Sequence, residues 1–480
     1  MVSAVFPLEK ISVEAQKVLR HLARSGHKAY LVGGCVRDLL LGRTPKDFDV
    51  ATDATPAELR EMFRNCRIIG KRFRLAHIVF GETIIETATF RANPRQEEDD
   101  DANPISGEES DELYIHRDNV FGTAEQDARR RDFTVNGLFY DLPEQKVIDH
   151  VDGLRDLDAR LIRTIGDPNV RFREDPVRML RAVKFAARLG FDIEDETWAA
   201  MCEHGPDLKK SPPPRVLEEI YRMLRGGAAV ESMMLLRESR QLVSLLPTLY
   251  QELQHEPDVL TPYLDELDRR VKNGQTLQNA LLLCVLRLPR LFPLFVQLDR
   301  NGAAAASLIE DAFAPLAEMK VPRREWEQAK MLLLFQRRIL QTRLRGNKLS
   351  DNLLASSDFH LAFLLHTLVY QVVRQSEGLS AEAIGQEIRA WPYAKTLFSS
   401  LAEPPPSRAA RRRGSPSRSP SPRRSRSFAR FELSDSDEPE TATPEPFTPR
   451  SEPELSGAEA DAEEAALAAF VAAMQRKHHD

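Results

Sequence analysis

LVGGCVRDLLLGRTPKDFDVAT, residues 31–52, decides the fold. Its first two residues close a short apolar run, KAYLV (28–32), which reads as a strand. Gly33 and Gly34 follow, where that strand gives way to the helix VRDLLLG. Glycines at such a junction allow close backbone approach, and the N-terminus of a helix favours an anion such as a triphosphate. Arg37, Arg43 and Lys46 bring positive charge to the same stretch. A second strand, KDFDVAT (46–52), carries Asp47 and Asp49 one residue apart. Alternation along a strand puts both carboxylates on one face. They repel each other there unless a cation lies between them, and a divalent metal is the natural partner of such hard oxygen ligands.

Further runs rich in β-branched and aromatic residues read as strands: CRIIG (66–70), RLAHIVFG (74–81), TIIETATF (83–90), FTVNGLFYDL (133–142) and KVIDHVDG (146–153). The expected fold class is α+β. A helix over residues 1–27 leads into a head over 28–155, built on a mixed sheet of about five strands with helices. An acidic stretch, residues 93–113, interrupts the head as an inserted loop. Beyond Asp156 the apolar spacing becomes helical. A helical neck is expected over 156–225 and an all-helical body over 226–400. The last segment, 401–480, reads as a disordered tail with a short alanine-rich piece near its end.

Composition narrows the class. Of 480 residues, 42% are hydrophobic and 29% charged, which is enough apolar material for a core. No apolar run reaches the ~20 residues of a membrane span, so no integral insertion is expected. The start of the chain does not read as a signal peptide, and Cys35, Cys66, Cys202 and Cys284 form no CxxC pair. These features together imply a cytoplasmic protein. The net charge of −6 hides strong segregation. Residues 404–431 hold nine arginines and no acid, whereas 432–464 hold twelve acids and one arginine. A run of cations tracks phosphates through counterion release. The acidic block is expected to fold back on it and weaken RNA binding at low salt.

The ordered series GG, VRDLLLG and DFDV resembles the head of the nucleotidyltransferase superfamily. More closely it is similar to the class II branch, the tRNA CCA-adding enzymes and bacterial poly(A) polymerases. The resemblance spans about residues 12–225. It implies two Mg2+ ions at a carboxylate cluster of Asp47, Asp49 and Glu86, with Asp47 and Asp49 as metal ligands and all three catalytic. It implies ATP as substrate and nucleotide contacts from Gly33, Gly34 and Arg37. RRRDFTVNGL (129–138) resembles the ribose and phosphate motif, bringing Arg131, Asp132 and Asn136. REDPVRMLRAV (173–183) resembles the base-reading helix. Asp175 and Arg178, three apart, are expected to share one helix face and to read the amino donor and ring acceptor common to adenine and cytosine. Arg181 is expected to reach the triphosphate.

RIIGKRFRLAHIVFG (67–81) resembles the segment typical of the poly(A) polymerase side of the branch. Lys71, Arg72 and Arg74 there, and Arg411, Arg412, Arg413, Arg423 and Arg424 in the tail, are the expected RNA contacts. The resulting expectation is template-independent addition of adenosines to RNA 3′ ends of mRNA and of small or structured RNAs, in mRNA processing and turnover, with RNA-decay proteins as partners. CCA addition to tRNA is the alternative within the branch. A non-catalytic RNA-binding protein is the alternative outside it, and the intact carboxylates speak against that. A metal-dependent phosphohydrolase lacks support, because His360 and His366 have no aspartates at ligand spacing.

Overall fold

The structure, a computed structural model, describes residues 2–3, 6–70, 74–92, 121–297, 309–345 and 349–402. The acidic insert, Lys71, Arg72 and the tail with Arg411, Arg412, Arg413, Arg423 and Arg424 lie outside these residues.

A two-residue strand, β1 (Val2–Ser3), comes first. Helix α1 (Val13–Arg24) starts where the Ser12 hydroxyl accepts the Ala15 amide N–H, and Ala15, Val18, Leu19 and Leu22 form its buried face. Next come β2 (Ala29–Val32), α2 (Gly34–Leu40), β3 (Asp49–Thr52) and α3 (Pro56–Met62). Strands β4 (Cys66–Ile69), β5 (Leu75–Phe80) and β6 (Thr83–Thr89) follow, then α4 (Ala124–Arg130), β7 (Leu138–Asp141) and β8 (Lys146–Asp149). The strands form one sheet in the order β1-β8-β7-β2-β3-β6-β5-β4. Within this sheet, among the described residues, β3 and β6 pair in parallel and the other neighbours are antiparallel. The sheet therefore has eight strands among the described residues, against about five expected from the sequence. Strand β1 is too short to leave an alternating pattern.

Two other expectations change. Asp47 precedes β3, which begins at Asp49. On the β2 side Val32 pairs with Asp49 and the chain then turns away at Gly33, so residues before 49 have no β2 partner. FTVNGLFYDL is not one strand. Thr134–Asn136 forms a 3-10 turn, Phe133 makes only an isolated bridge with Thr164, and Leu138–Asp141 is the part that joins the sheet.

The helices after the sheet are α5 (Gly153–Asp158), α6 (Pro168–Glu174), α7 (Val177–Leu189), α8 (Asp195–His204) and α9 (Pro213–Leu224). Nine of the thirteen residues of α7 are buried, which makes it the axis of the neck rather than a surface helix. It ends at Gly190, whose φ of 70° closes the helix in the left-handed region. A single apolar core runs from Val18, Leu31 and Val50 in the head through Leu180 and Val183 to Leu364 and Val369 in the body. The body holds Ala229–Glu238, Thr261–Lys272, Asn279–Gln297, Arg323–Arg345 and Ser357–Ser376 among its helices. It is tied to α9 by Glu325, which accepts from the Tyr221 hydroxyl at 2.7 Å and from Asn279 at 3.0 Å. His366 is buried and lies 3.1 Å from the Gln336 side-chain oxygen, and His360 contacts the Leu354 carbonyl, so both are ordinary helix residues. No helix among the described residues is long and apolar enough to cross a membrane.

Candidate active site

Asp49 is the first residue of β3 and pairs directly with Glu86 on β6. Val50 belongs to the main core, whereas Val32 and Ala51 belong to a small cluster with Phe90, Ala128 and Phe139 on the opposite face. Alternation therefore places Asp49 and Glu86 on the face of that small cluster. Glu86 is half exposed, and His77, paired with it across β5, has Nε2 3.6 Å from its carboxylate. Asp47 is exposed just ahead of the strand. Burial pushes Asp49 up to about 6; the charges of Glu86 and Asp47 add to the rise, and Arg131 opposes it. The three carboxylates thus share one field even though Asp47 is off the strand.

This donor set fits a hard divalent cation. Oxygen ligands predominate, and a neighbouring positive charge would offset the burial and the repulsion that keep Asp49 high. Among the described residues no group of three His, Cys, Asp or Glu side chains is already drawn into a metal cage.

The glycine turn is built for close approach. Gly33 has φ 75° and ψ −130°, a conformation open to glycine, and a Cβ there would stand 2.9 Å from Arg131 Nη1. Arg131 is held by Asp127, which is 1% exposed and accepts from its Nε and Nη2 at 3.2 and 3.0 Å. Its guanidinium lies 5.2 Å from the Phe139 ring centre. Gly34 opens α2 beside it.

Arg37 has a different place from the one its sequence suggests. It is 2% exposed, donates to Asp38 at 2.9 and 2.7 Å and to Asn136, and sits over the Phe185 ring. Asn136 in turn donates to Asp132 at 3.0 Å, and Asp132 accepts from Arg181 Nε at 2.7 Å. Burial would raise the Asp132 carboxyl, but Arg181, Asn136 and the Phe133 amide hold it well below the usual carboxylate range. Arg37, Asn136, Asp132 and Arg181 therefore form one relay from head to neck, buried at Arg37 and Asn136 and part-buried at Asp132 and Arg181. Glu219 on α9 anchors its far end, accepting from Lys184 at 2.5 Å and lying 3.7 Å from Arg181. Another cation of the opening stretch, Arg43, donates to the Arg188 and Leu189 carbonyls at the end of α7.

Asp175 and Arg178 are brought near each other but not on one helix. Asp175 has φ −151° and ψ 90° between α6 and α7, because Pro176 disfavours a helical residue before it. Its carboxylate accepts from Arg215 at 2.8 Å. Arg178 lies in the first turn of α7 and donates to Glu174 at 3.0 Å and to the Arg171 carbonyl at 2.8 Å. Arg171 and Arg130 are both lowered to about 10, by burial first and then by neighbouring arginines, Arg178 among them. Such crowded cations favour a polyanion. Arg74 is exposed at the entry to β5.

Four groups escape the sequence reading: Asp127, Glu174, Arg215 and Glu219. Asp127 and Glu174 stand four residues before the arginines they hold, so helical spacing could have flagged them. Arg215 and Glu219 act across 40 and 35 residues, with no local signal.

Comparison with known proteins places this geometry. Residues 29–163 match the family described as the poly A polymerase head domain. Residues 190–253 match one described as "Probable RNA and SrmB- binding site of polymerase A". The chain is 38% identical over 427 residues to poly(A) polymerase I of Salmonella typhimurium, covering 86% of this chain and 90% of that one. It is 39% identical over 378 residues to poly(A) polymerase I of Escherichia coli O157:H7, covering 76% and 80%. A CCA-adding enzyme of Bacillus subtilis is 34% identical over 251 residues, 52% of this chain and 59% of that one. The fold matches the crystal structure of the Bacillus stearothermophilus CCA-adding enzyme in complex with CTP, with a TM-score of 0.53 at 23% identity over 81% of this chain and 82% of that one. With this extent of identity to both head and helical parts, the chain belongs to the poly(A) polymerase I family and is a nucleotidyltransferase.

Proposed function

We propose that the protein extends RNA 3′ ends with adenosines, without a template. The observation that carries this reading is the pairing of Asp49 with Glu86 beside the Gly33 turn, with Asp49 pushed up to about 6 by burial and the neighbouring carboxylates. Such a group suits a cation and a triphosphate in one place. The RNA 3′-oxygen forms a bond to the α-phosphorus of ATP; the bond from that phosphorus to the bridging oxygen breaks, and pyrophosphate leaves. A divalent cation, Mg2+ in this reading, would be held by Asp47 and Asp49 and would supply Lewis-acid stabilisation of the phosphoryl charge. The chain's own part is positioning and charge complementarity. Gly33 and Gly34 give the phosphates access to backbone. Arg131 is aimed at that turn by Asp127. Asp132, part-buried, is the group of this relay nearest to reach for a ribose hydroxyl, with Asn136 and Arg37 locked beneath as its support. Arg181 is fixed by Asp132 near the path of the triphosphate. Asp175 and Arg178 match an amino donor beside a ring acceptor, which adenine presents.

RNA 3′ ends, both mRNA and small structured species, are the expected acceptors. The arginine tract and Arg74 would add salt-sensitive affinity, and RNA-decay proteins are the expected partners in the cytoplasm. The relatives include CCA-adding enzymes, so addition of CTP and ATP to tRNA is the second reading. One experiment separates them. The purified chain with Mg2+ receives an unstructured oligoribonucleotide or a tRNA lacking its CCA end, with ATP, CTP or both. Long A-ladders from ATP on the unstructured RNA support polyadenylation. Extension by three nucleotides, confined to tRNA and requiring both substrates, would overturn it in favour of CCA addition.

A further inference from the structure

We propose that His77 and Arg67 hold the last two phosphodiesters of the RNA acceptor, so that its 3′ end lies across β4 and β5 with the terminal hydroxyl at the carboxylates. The inference rests on the reading of the site as one that extends RNA.

The register of the sheet carries it. Arg67 on β4 pairs directly with His77 on β5, His77 with Glu86 on β6, and Glu86 with Asp49 on β3. Residues directly opposite one another share a face. A guanidinium, an imidazole and two carboxylates therefore stand in one row across four strands. The other face of β5 and β6, with Ala76, Ile78 and Ile85, is buried in the main core. Neighbouring strands lie about 4.8 Å apart, so His77 is one step from Glu86 and Arg67 is two, about 10 Å.

Donors along this row are available. Arg67 is exposed, and its guanidinium has no ion pair or hydrogen bond among the described residues. His77 turns Nε2 toward Glu86 at 3.6 Å, and its Nδ1 has no hydrogen-bond partner among the described residues. A lone surface arginine needs no ligand, but this one ends a row that begins at the reacting carboxylates. Ile69, two residues after Arg67, and Ile84, two before Glu86, flank the row on the same face and are 49% and 47% exposed. Polar donors between exposed aliphatic side chains fit a nucleic-acid strand, whose phosphates take the donors while sugars and base faces cover the isoleucines. A primer with its 3′-hydroxyl beside Asp49 and Glu86 carries its nearest phosphate one ribose away and the next one nucleotide further. The row offers an imidazole at the first place and a guanidinium at the second. Phosphate contacts fix register without reading sequence, which suits an acceptor that must be re-seated after every addition.

The test uses the full chain with ATP, Mg2+ and unstructured oligoribonucleotides. Each primer carries one uncharged methylphosphonate linkage, at the last, the second-last or a far upstream position, with the adjoining 2′-hydroxyl methylated in every primer. Initial rates are measured for wild type, Arg67→Ala, Arg67→Lys and His77→Asn, alongside thermal stability and the salt dependence of RNA affinity. In wild type, a neutral linkage at either of the last two positions is expected to lower kcat/KM for RNA about tenfold, and an upstream one by no more than about twofold. Arg67→Ala should raise the KM for RNA about tenfold with the KM for ATP and thermal stability unchanged. It should lower the salt slope by about 0.7, the worth of one single-strand phosphate, and become indifferent to the second-last linkage alone. Lysine should restore part of the RNA affinity. His77→Asn should become indifferent to the last linkage; a lower kcat with that sensitivity intact would make His77 a support for Glu86 and overturn its part. A wild type indifferent to both terminal linkages, or an Arg67→Ala variant as sensitive as wild type at the second-last one, overturns the inference. A wild-type chain that adds no nucleotide to any RNA overturns the functional reading itself. That outcome is distinct from an active wild type that ignores the charge of its terminal linkages.

Discussion

Replacing Asp49 with Asn should abolish nucleotide addition and yet stabilise the metal-free protein at neutral pH. Asp49 has a folded value of about 6 against an ordinary 3.8, raised by burial and by Glu86 and Asp47. A carboxyl whose folded value exceeds its unfolded one is penalised when it ionises. The penalty is absent below about pH 4, develops as pH rises through the window from 3.8 to about 6, and is complete above it. A shift of about two pK units corresponds to ~3 kcal/mol, and partial solvent access brings the expected value to ~2 kcal/mol. Asparagine carries no charge to penalise. In urea denaturation with chelator present, Asp49→Asn should match the wild type at about pH 4 and exceed it by ~2 kcal/mol at about pH 7.5. Adding Mg2+ at the higher pH should stabilise the wild type and narrow the gap, because binding to the folded state is linked to stability. A stability difference independent of pH, or a variant less stable than wild type above neutrality, would refute the penalty that burial and neighbouring charge place on ionised Asp49.

The remaining expectations are simpler. Arg178→Ala should lower selection of ATP over GTP and UTP by about tenfold or more, the worth of a charged hydrogen bond, with RNA affinity unchanged in filter binding. Equal loss for every nucleotide would remove its base-reading role. Gly33→Ala puts a Cβ 2.9 Å from Arg131 Nη1 at a φ of 75°, so it should cost ~1–3 kcal/mol in denaturation and raise the KM for ATP. A variant with wild-type stability and KM would show that the turn tolerates a side chain. Deleting residues 403–480 removes the nine arginines of the basic tract and should flatten the dependence of RNA affinity on salt. Deleting only 432–480 should tighten RNA binding at low salt, and unchanged affinity there would dismiss the fold-back of the acidic block.

Much of the site is legible in the amino-acid sequence, because its motifs are local. The series from Gly33 to Asp49 spans one helix and the edges of two strands, so short-range periodicity is enough to order it. The same logic locates α7, bounded by Pro176 and Gly190. The sequence misleads where pairing partners decide the outcome. Asp47 reads as strand by alternation, but the strand starts at Asp49, where β2 ends at Val32. Asp175 and Arg178 are three apart, yet the proline between them breaks the face that this spacing suggests. Arg37 reads as a phosphate contact from its position in the motif and is instead buried against Asp38 and Asn136, since only the fold brings residue 136 to residue 37.

The chemistry of the protein is written along the chain: which carboxylates, arginines and glycines are present, in what order, and how the arginine and acid blocks divide the tail. Those are properties of neighbours in sequence. Which charges meet is a matter of packing. Folding sets Glu86 opposite Asp49, turns Arg131 onto Gly33, and assigns Arg215 to Asp175 and Glu219 to Lys184. These contacts join residues at least 35 positions apart, and no local pattern announces them. Burial strengthens those that packing hides from water, as it does for the Asp49 carboxyl and for Glu219 with Lys184.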